Sequence, residues 1–338
     1  MKKQILYFFL IVLCSCKQST IPADVERLSL APTGIVSDSI ESMMPGDIYL
    51  SGNYILWADP FNTKKHIHIL DKESGKEIGL MVDRGEGPDE FVSPSIVVLP
   101  DDRIFIFDSY TGKTGVQSIT KAVRGENPIL SKASIELGDV TAMAYTEKEE
   151  TIWFNPTKSQ PFSIRGKGDN PKISTFGKLP FKGEISNGIQ HFQGHLSYNP
   201  NNQTLVYTTM MFPYYSIYKR EGNSFKLKKE IVNVSDYSLK DNKFKYQGHL
   251  RGPQYLTTTS EYIVTVERDP KYDQTDGMMI GRDFSKLPQT IFLYDYELQL
   301  KKIINLKKPI LWVTANPSTN TIYLIAADPD FVLLKYDL

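Results

Sequence analysis

Two long polar stretches of this 338-residue chain gather the side chains best suited to recognition. Asp236 to Pro253 carries Lys240, Lys243, Lys245, His249 and Arg251, with Phe244 and Tyr246 between them. Asp269 to Pro288 carries Tyr272, Asp273, Asp276, Met278, Met279, Arg282 and Phe284. Cations interleaved with aromatic rings suit a carboxylate-bearing peptide or an acidic glycan, and long loops on a rigid frame are common places for such work. The alternative, equally open at this level, is that both stretches are solvated excursions covering an edge. A third element, Arg84-Gly85-Glu86-Gly87-Pro88-Asp89-Glu90-Phe91, could present Arg84, Glu86, Asp89 and Glu90 along a rim. Its two glycines and its proline suit a tight crossover better, with Phe91 plugged between sheets. No helix plainly follows it, so it is not a phosphate-cradling glycine loop.

Other chemistries find less support. Asp269, Asp273 and Asp276 lack the alternating spacing of a calcium loop, so calcium is weakly indicated and no cofactor is expected. His191 and His195 would face one side of a strand about 13 Å apart, too far for one metal. A helix would bring them together, but Gly188 and Gly194 argue against one. His66 and His68 read as every-other positions on a strand. Nothing resembles a nucleophile elbow or a serine or cysteine triad.

Charge narrows the partners. The chain has 39 basic and 39 acidic residues; without Lys2 and Lys3 the count is 37 against 39. Nucleic acid requires a clear basic excess and is excluded as the expected partner. With 19 Tyr and 17 Phe, recurrent Val, Ile and Thr, and prolines and glycines scattered throughout, the composition is that of an all-β protein with many turns.

The elements that must position these side chains repeat. A strand, a polar turn and a second strand recur six times. Tyr54-Ile55-Leu56-Trp57 follows the turn Ser51-Gly52-Asn53, and Arg103 to Phe107 follows Pro100-Asp101-Asp102. Thr151 to Phe154 follows Glu147-Lys148-Glu149-Glu150, and Thr204 to Tyr207 follows Asn199-Pro200-Asn201-Asn202. Tyr262 to Val266 follows Ser260-Glu261, and Thr321 to Ile325 follows Asn316 to Asn320. Aligning Ile55, Ile104, Ile152, Leu205, Ile263 and Ile322 gives a period of about 50 residues, near that of a propeller blade. Further strand-like segments follow each copy, so the expected fold is an all-β, six-bladed β-propeller of four-stranded antiparallel blades. The chain ends after Phe331 to Tyr336, leaving the last blade one strand short. The segment Val25 to Ser29 is expected to complete it, pairing beside Phe331 to Tyr336 and closing the ring.

The amino terminus carries an address. Lys2 and Lys3 precede an apolar run from Ile5 to Leu13, too short to span a bilayer and suited to a signal peptide. Leu13-Cys14-Ser15-Cys16 resembles the lipobox of bacterial lipoproteins, and that resemblance implies a diacylglycerol on Cys16. The expected organisation is a signal peptide over 1–15, a lipid-anchored tether over 16–24 and the propeller over 25–338. The Arg84 to Phe91 element resembles the RGxGPxEF element of TolB-like six-bladed propeller lipoproteins of Bacteroidetes, whose members define a fold more than an activity. Asp38-Ser39-Ile40 resembles the O-glycosylation signal used in that phylum, which would place a glycan on Ser39. Lys17-Gln18-Ser19-Thr20 lacks an acidic export run, so a periplasm-facing position is favoured over the cell surface. The expected role is a membrane-anchored binding or scaffold module for a peptide, glycan or protein partner. The candidate ligand rim is Arg84, Glu86, Lys243, Tyr246, His249, Arg251, Tyr272 and Arg282. The rival is a propeller hydrolase or lyase, with carboxylates and a metal converging in the central channel.

Overall fold

A computed structural model describes residues 22, 24–134, 140–167, 172–179, 186–232, 237–241, 243–246, 251–273 and 283–338. Two short strands come first, β1 (Glu26–Ser29) and β2 (Gly34–Ser37). Blade 1 is β3 (Ile48–Ser51), β4 (Tyr54–Ala58), β5 (Lys65–Asp71) and β6 (Glu77–Asp83). Blade 2 is β7 (Pro94–Leu99), β8 (Arg103–Asp108), β9 (Lys113–Ser118) and β10 (Ile129–Ser134). A one-turn helix, α1 (Ile119–Val123), is inserted before β10 and is capped by the Ser118 hydroxyl accepting from the Lys121 amide. Blade 3 is β11 (Ala142–Tyr145), β12 (Thr151–Phe154), β13 (Phe162–Arg165) and β14 (Ile173–Phe176). After helix α2 (Gly188–His191), blade 4 is β15 (Gly194–Asn199), β16 (Thr204–Thr209), β17 (Tyr214–Glu221) and β18 (Ser224–Val232). A separate hairpin, β19 (Tyr237–Lys240) with β20 (Lys243–Tyr246), precedes blade 5, which is β21 (Tyr255–Thr258), β22 (Ile263–Glu267), β23 (Thr290–Tyr294) and β24 (Leu300–Asn305). Blade 6 is β25 (Ile310–Ala315), β26 (Thr321–Ala327) and β27 (Phe331–Asp337). The six hairpins read from the sequence are the first two strands of the six blades.

The hairpins form where they do because their turns supply the required backbone. Asp101 and Asp102 both take left-handed conformations (φ 58° and 51°), the pair of angles that matches the twist of two antiparallel strands. Aspartate tolerates that region better than most residues. Between blades, the apolar faces pack into successive clusters. The seam of blades 3 and 4 is built of rings: Phe154 lies 4.1 Å from Tyr207, Phe162 4.9 Å from Tyr218, and Phe176 5.3 Å from Phe225, centroid to centroid.

The ring does close through the amino-terminal segment, but not by the expected strand. It is β2 that completes blade 6, antiparallel to β27, with Gly34 opposite Lys335 and Ser37 opposite Leu333. β1 instead adds a fifth strand to blade 5, parallel to β24, with Glu26 opposite Lys302. What captures β1 there is the buried carboxylate of Asp269, which accepts a hydrogen bond from Arg27 Nε at 2.9 Å, while Leu28 and Leu30 rest on the core of blades 5 and 6.

A second correction concerns the histidines. A helical turn does form over Gly188–His191, but it stops at Phe192, and His195 belongs to β15. The two rings therefore go to different partners, His191 against Phe244 and His195 against Tyr255.

Candidate functional site

In each blade the first strand runs away from the crossover that enters it, and the first strands of consecutive blades stand side by side around the ring. Ile55, Ile104, Ile152, Leu205, Ile263 and Ile322 pair with Leu50, Val98, Ala144, Tyr198, Thr258 and Ala315 on those strands. Three residues upstream of these partners stand Asp47, Ser95, Thr141, His195, Tyr255 and Trp312, one from each blade in order. One residue upstream stand Tyr49, Val97, Met143, Ser197, Thr257 and Thr314. All twelve are exposed or half-buried. The residues that alternate with them, Ile48, Ile96, Ala142, Leu196, Leu256 and Val313, pack into the clusters between blades. Tyr49, Met143, Tyr255 and Trp312 also rest part of their surface on such clusters, but keep the rest exposed. Alternation along a strand puts the two sets on opposite sides, which leaves two positions per blade for the central channel. The first set rings its mouth and the second forms the layer beneath.

The mouth is lopsided in character. From blade 4 to blade 6 it is an arc of rings, His195 to Tyr255 at 5.8 Å and Tyr255 to Trp312 at 4.7 Å. The Trp312 indole donates to the Pro45 carbonyl at 2.8 Å, fastening the arc to the lead-in of Asp47 in blade 1. Blades 2 and 3 contribute the hydroxyls of Ser95 and Thr141. Asp47 is the one carboxylate of the two layers. Its solvent-facing surface is wetted by the channel, yet protein crowds the carboxyl, and burial pushes its pKa up to about 6 despite a hydrogen bond from the Tyr49 hydroxyl at 3.2 Å. Tyr49 is held far above the usual tyrosine value by burial and by the charge of Asp47. His195 is driven down to about 4 by burial, so it is neutral near pH 7.

The sign of the Asp47 shift makes a prediction. The folded protein takes up this proton more readily than the unfolded chain, so the ionised carboxylate costs stability as pH rises through the interval from about 4 to 6. Asp47→Asn is expected to melt higher than the parent above pH 6, and the gain should vanish near pH 4. Channel water screens the charge, so the gain amounts to about 1 kcal/mol. Melting curves at pH 4, 6 and 7.5 test it, and a loss of stability at pH 7.5 would contradict this account.

The loops that border this mouth are those singled out in the sequence. Crossovers between blades and turns between second and third strands share the end where first strands begin. That end therefore carries the Arg84 to Phe91 element and the roots of both insertions. The insertions approach one another at Arg251 and Arg268: burial pulls Arg268 below the usual arginine value, and Arg251 adds repulsion.

Several of the rim candidates serve the frame itself. Arg84 donates to the carbonyls of Asp59 and Pro60, at 3.3 and 3.0 Å, and to His66 Nδ1 at 2.9 Å. That bond requires His66 Nδ1 to accept, so Nε2 carries the proton and donates to the Phe91 carbonyl at 2.8 Å. Burial lowers the His66 pKa and keeps the ring neutral. Glu90 Oε2 accepts from the Gly87 amide at 2.9 Å, Lys113 Nζ caps the carbonyls of Glu86 and Gly87 at 2.8 Å, and Phe91 is buried between blades 1 and 2. Glu86 is exposed. Tyr246 packs in the ring cluster of Tyr237, Phe212 and Phe244 on top of blade 4, whereas Lys243 and Arg251 are exposed. Tyr272 is half-buried with Lys271 over its ring. His249 and Arg282 lie outside the described residues, as does Cys16. Asp269 and Asp273 are knotted into the root of the second insertion, Asp273 accepting from the Gln289 and Asp269 amides at 2.7 and 2.9 Å.

At the opposite end of the ring, neighbouring turns are bonded to one another from blade 1 to blade 6. Ser51 donates to Asp102, Arg103 to Glu149, Gln203 to Glu147, Asn199 to the Thr259 carbonyl and Ser260 to Asn320. Among the described residues no three metal-ligating side chains stand together, and no helix is long and apolar enough to cross a membrane.

Six four-stranded blades whose first strands stand side by side in a closed ring define a six-bladed β-propeller. No family model and no curated protein matches the chain. Solved structures do. A member of the duf4221 family from Bacteroides vulgatus aligns at a TM-score of 0.60 with 9% identity, covering 90% of this chain and 96% of that one. A Bacteroides fragilis protein described as exported aligns at 0.55 with 13% identity over 91% and 86%. Regucalcin from Agrobacterium tumefaciens, a calcium-binding protein, aligns at 0.54 with 10% identity over 93% and 96%. At such identities the likeness is one of fold.

Proposed function

We propose that the chain is a cell-envelope lipoprotein, anchored by a lipid on Cys16 and facing the periplasm, whose propeller binds a peptide, glycan or protein partner at its channel mouth. The observation that carries this reading is the mouth itself. It has an arc of three rings beside a single crowded carboxylate, at the end of the ring that carries the roots of both insertions and away from the turn-to-turn bonds. Largely apolar walls with a few placed polar groups are the usual make-up of a binding site. The lipobox-like Leu13 to Cys16 and the TolB-like Arg84 to Phe91 element support the envelope assignment. Ser39 is exposed next to β2, where a glycan could be added without disturbing the ladder.

The test is a thermal-shift screen of protein beginning at Lys17, against peptides, glycans and divalent cations. A binder is expected to raise the melting temperature by several degrees, and Ser95→Arg, which places a long side chain across the mouth from an exposed position, should remove the shift. A shift that survives Ser95→Arg puts the ligand elsewhere and ends this reading. A calcium shift that Asp47→Asn abolishes would favour the hydrolase or lyase instead.

A further inference from the structure

We infer that the channel mouth receives a protonated primary amine, with Asp47 as its counter-charge and Tyr49, Tyr255 and Trp312 as its walls. The inference rests on the mouth being the binding site and adds the chemistry of the group it takes.

Among the described residues Asp47 differs from Glu150, Asp269 and Asp108 in having no protein cation or amide to satisfy it. It differs from Glu267, which also lacks a cation but accepts from the hydroxyls of Thr265, Tyr215 and Tyr294, in having a single hydroxyl. Glu150 is paired with Arg220, and Asp269 with Arg27. Asp108 accepts four backbone amides, from Val92, Ser93, Tyr110 and Thr111, which hold its pKa below the usual range against the cost of burial. Asp47 Oδ2 has the Tyr49 hydroxyl at 3.2 Å, and no ion pair reaches the carboxylate among the described residues. A carboxylate crowded by protein without a counter-charge is a cost to the free molecule that a cationic ligand would relieve.

The remaining groups of the two layers agree on the sign of that ligand. His195 is neutral, so the layers hold one negative charge and no positive one. Tyr255 and Trp312 offer the negative faces of their rings, and the Trp312 indole hydrogen is already given to the Pro45 carbonyl, which leaves that ring a π surface. Ser95, Thr257 and Thr314 supply hydroxyl oxygens, while the Ser197 hydroxyl is shared with Thr258 at 3.1 Å and Thr141 Oγ1 is buried without a partner among the described residues. An ammonium carries three donors in a compact head, and a carboxylate, hydroxyl oxygens and ring faces match it. An acidic ligand, which the basic residues of the insertions suggest from sequence, would meet Asp47 as a like charge here.

Calorimetric titration of the chain from Lys17 at pH 7.5 tests the inference. The probes are Nα-acetyl-lysine amide, glucosamine and butylamine, with Nα,Nε-diacetyl-lysine amide and N-acetylglucosamine as neutral counterparts. At least one amine is expected to bind saturably and its acetylated counterpart at least tenfold more weakly. Asp47→Asn, whose fold is verified by its melting curve, should lose at least tenfold in affinity. Affinity in the parent should also fall as pH drops below about 6, where Asp47 takes up its proton. Lysine amide binding more tightly than glucosamine would assign the amine to a peptide, and the reverse to an amino sugar. Binding unchanged in Asp47→Asn, equal binding of the acetylated probes, or no binding by any amine overturns the inference. If none binds while a neutral ligand from the screen is displaced by Ser95→Arg, the mouth stands as the site and only its amine specificity falls.

Discussion

Glu150→Ala is expected to remove about 3–5 kcal/mol of stability, the usual cost of deleting one partner of a buried ion pair. Arg220 is 2% exposed at its side chain and Glu150 13%. A single guanidinium nitrogen, Nη2, reaches both carboxylate oxygens at 2.7 and 2.6 Å, and Thr146 donates to the same carboxylate at 2.7 Å. The guanidinium lies over Phe225, and its Nε and Nη1 have no partner among the described residues. Without Glu150 a nearly inaccessible cation would be left at the seam of blades 3 and 4, the seam built of stacked rings. Since a domain has only about 5–15 kcal/mol in hand, the midpoint in urea should drop by a large fraction. The contrast is Glu221→Ala, which breaks the exposed pair with Lys226 (61% and 72%) and should cost less than about 0.5 kcal/mol. Replacing both Arg220 and Glu150 with apolar residues of similar size should recover most of the loss, because the penalty lies in the unpaired charge. Equal effects for Glu150→Ala and Glu221→Ala would show that the buried pair is not what clasps the seam.

The second large effect belongs to ring closure. Removing residues through Ala31 takes away β1 and the Arg27 partner of buried Asp269, which should cost about 1–3 kcal/mol. Removing residues through Ser37 also strips β2 from β27. The Thr33 amide bond to the Lys335 carbonyl (2.8 Å) and the ladder from Gly34 to Ser37 are then lost, and the seating of Val36 on the core of blades 6 and 1 goes with them. At about 1 kcal/mol per bond, three or four bonds add roughly 3 kcal/mol, and an open edge of Phe331 to Asp337 is exposed to pairing between molecules. The longer truncation should therefore melt several degrees below the shorter one and elute partly as aggregate in size-exclusion chromatography. Identical melting of the two would mean that β2 contributes nothing to closure.

The two truncations also mark where reading the chain stops. Strands were legible because a hairpin is a local object: alternation in Ile96 to Leu99 and Arg103 to Phe107, with Asp101-Asp102 between them, places both strands and their turn within a dozen residues. Which of two successive short strands takes a distant edge is not local. Glu26 to Ser29 and Gly34 to Ser37 have similar β character, and the choice between them is made by Asp269, 242 residues from Arg27 in the chain. Glu150 illustrates the same limit, because as one of four polar residues in the turn Glu147 to Glu150 it reads as solvated until blade 4 brings Arg220 over it. The mouth was nearer to being legible. Its six residues follow from the aligned positions Ile55 to Ile322 once the pairing register across each turn is known, but the turns differ in length, so that register comes from the structure.

By itself the sequence determined the fold class, the six-fold repeat, the place of the two insertions and the near-neutral charge. These follow from residue type and short-range spacing, and short-range spacing survives into the structure because hairpins close within a few residues. Tertiary structure alone decided which strand closes the ring, that Arg84 and Tyr246 brace the frame, and that Asp47, Ser95, Thr141, His195, Tyr255 and Trp312 share one mouth. The physical reason is that a ring closes head to tail. Its channel is lined by residues one blade apart in sequence, and only the closed ring turns them toward one another and crowds Asp47 with no cation against it among the described residues.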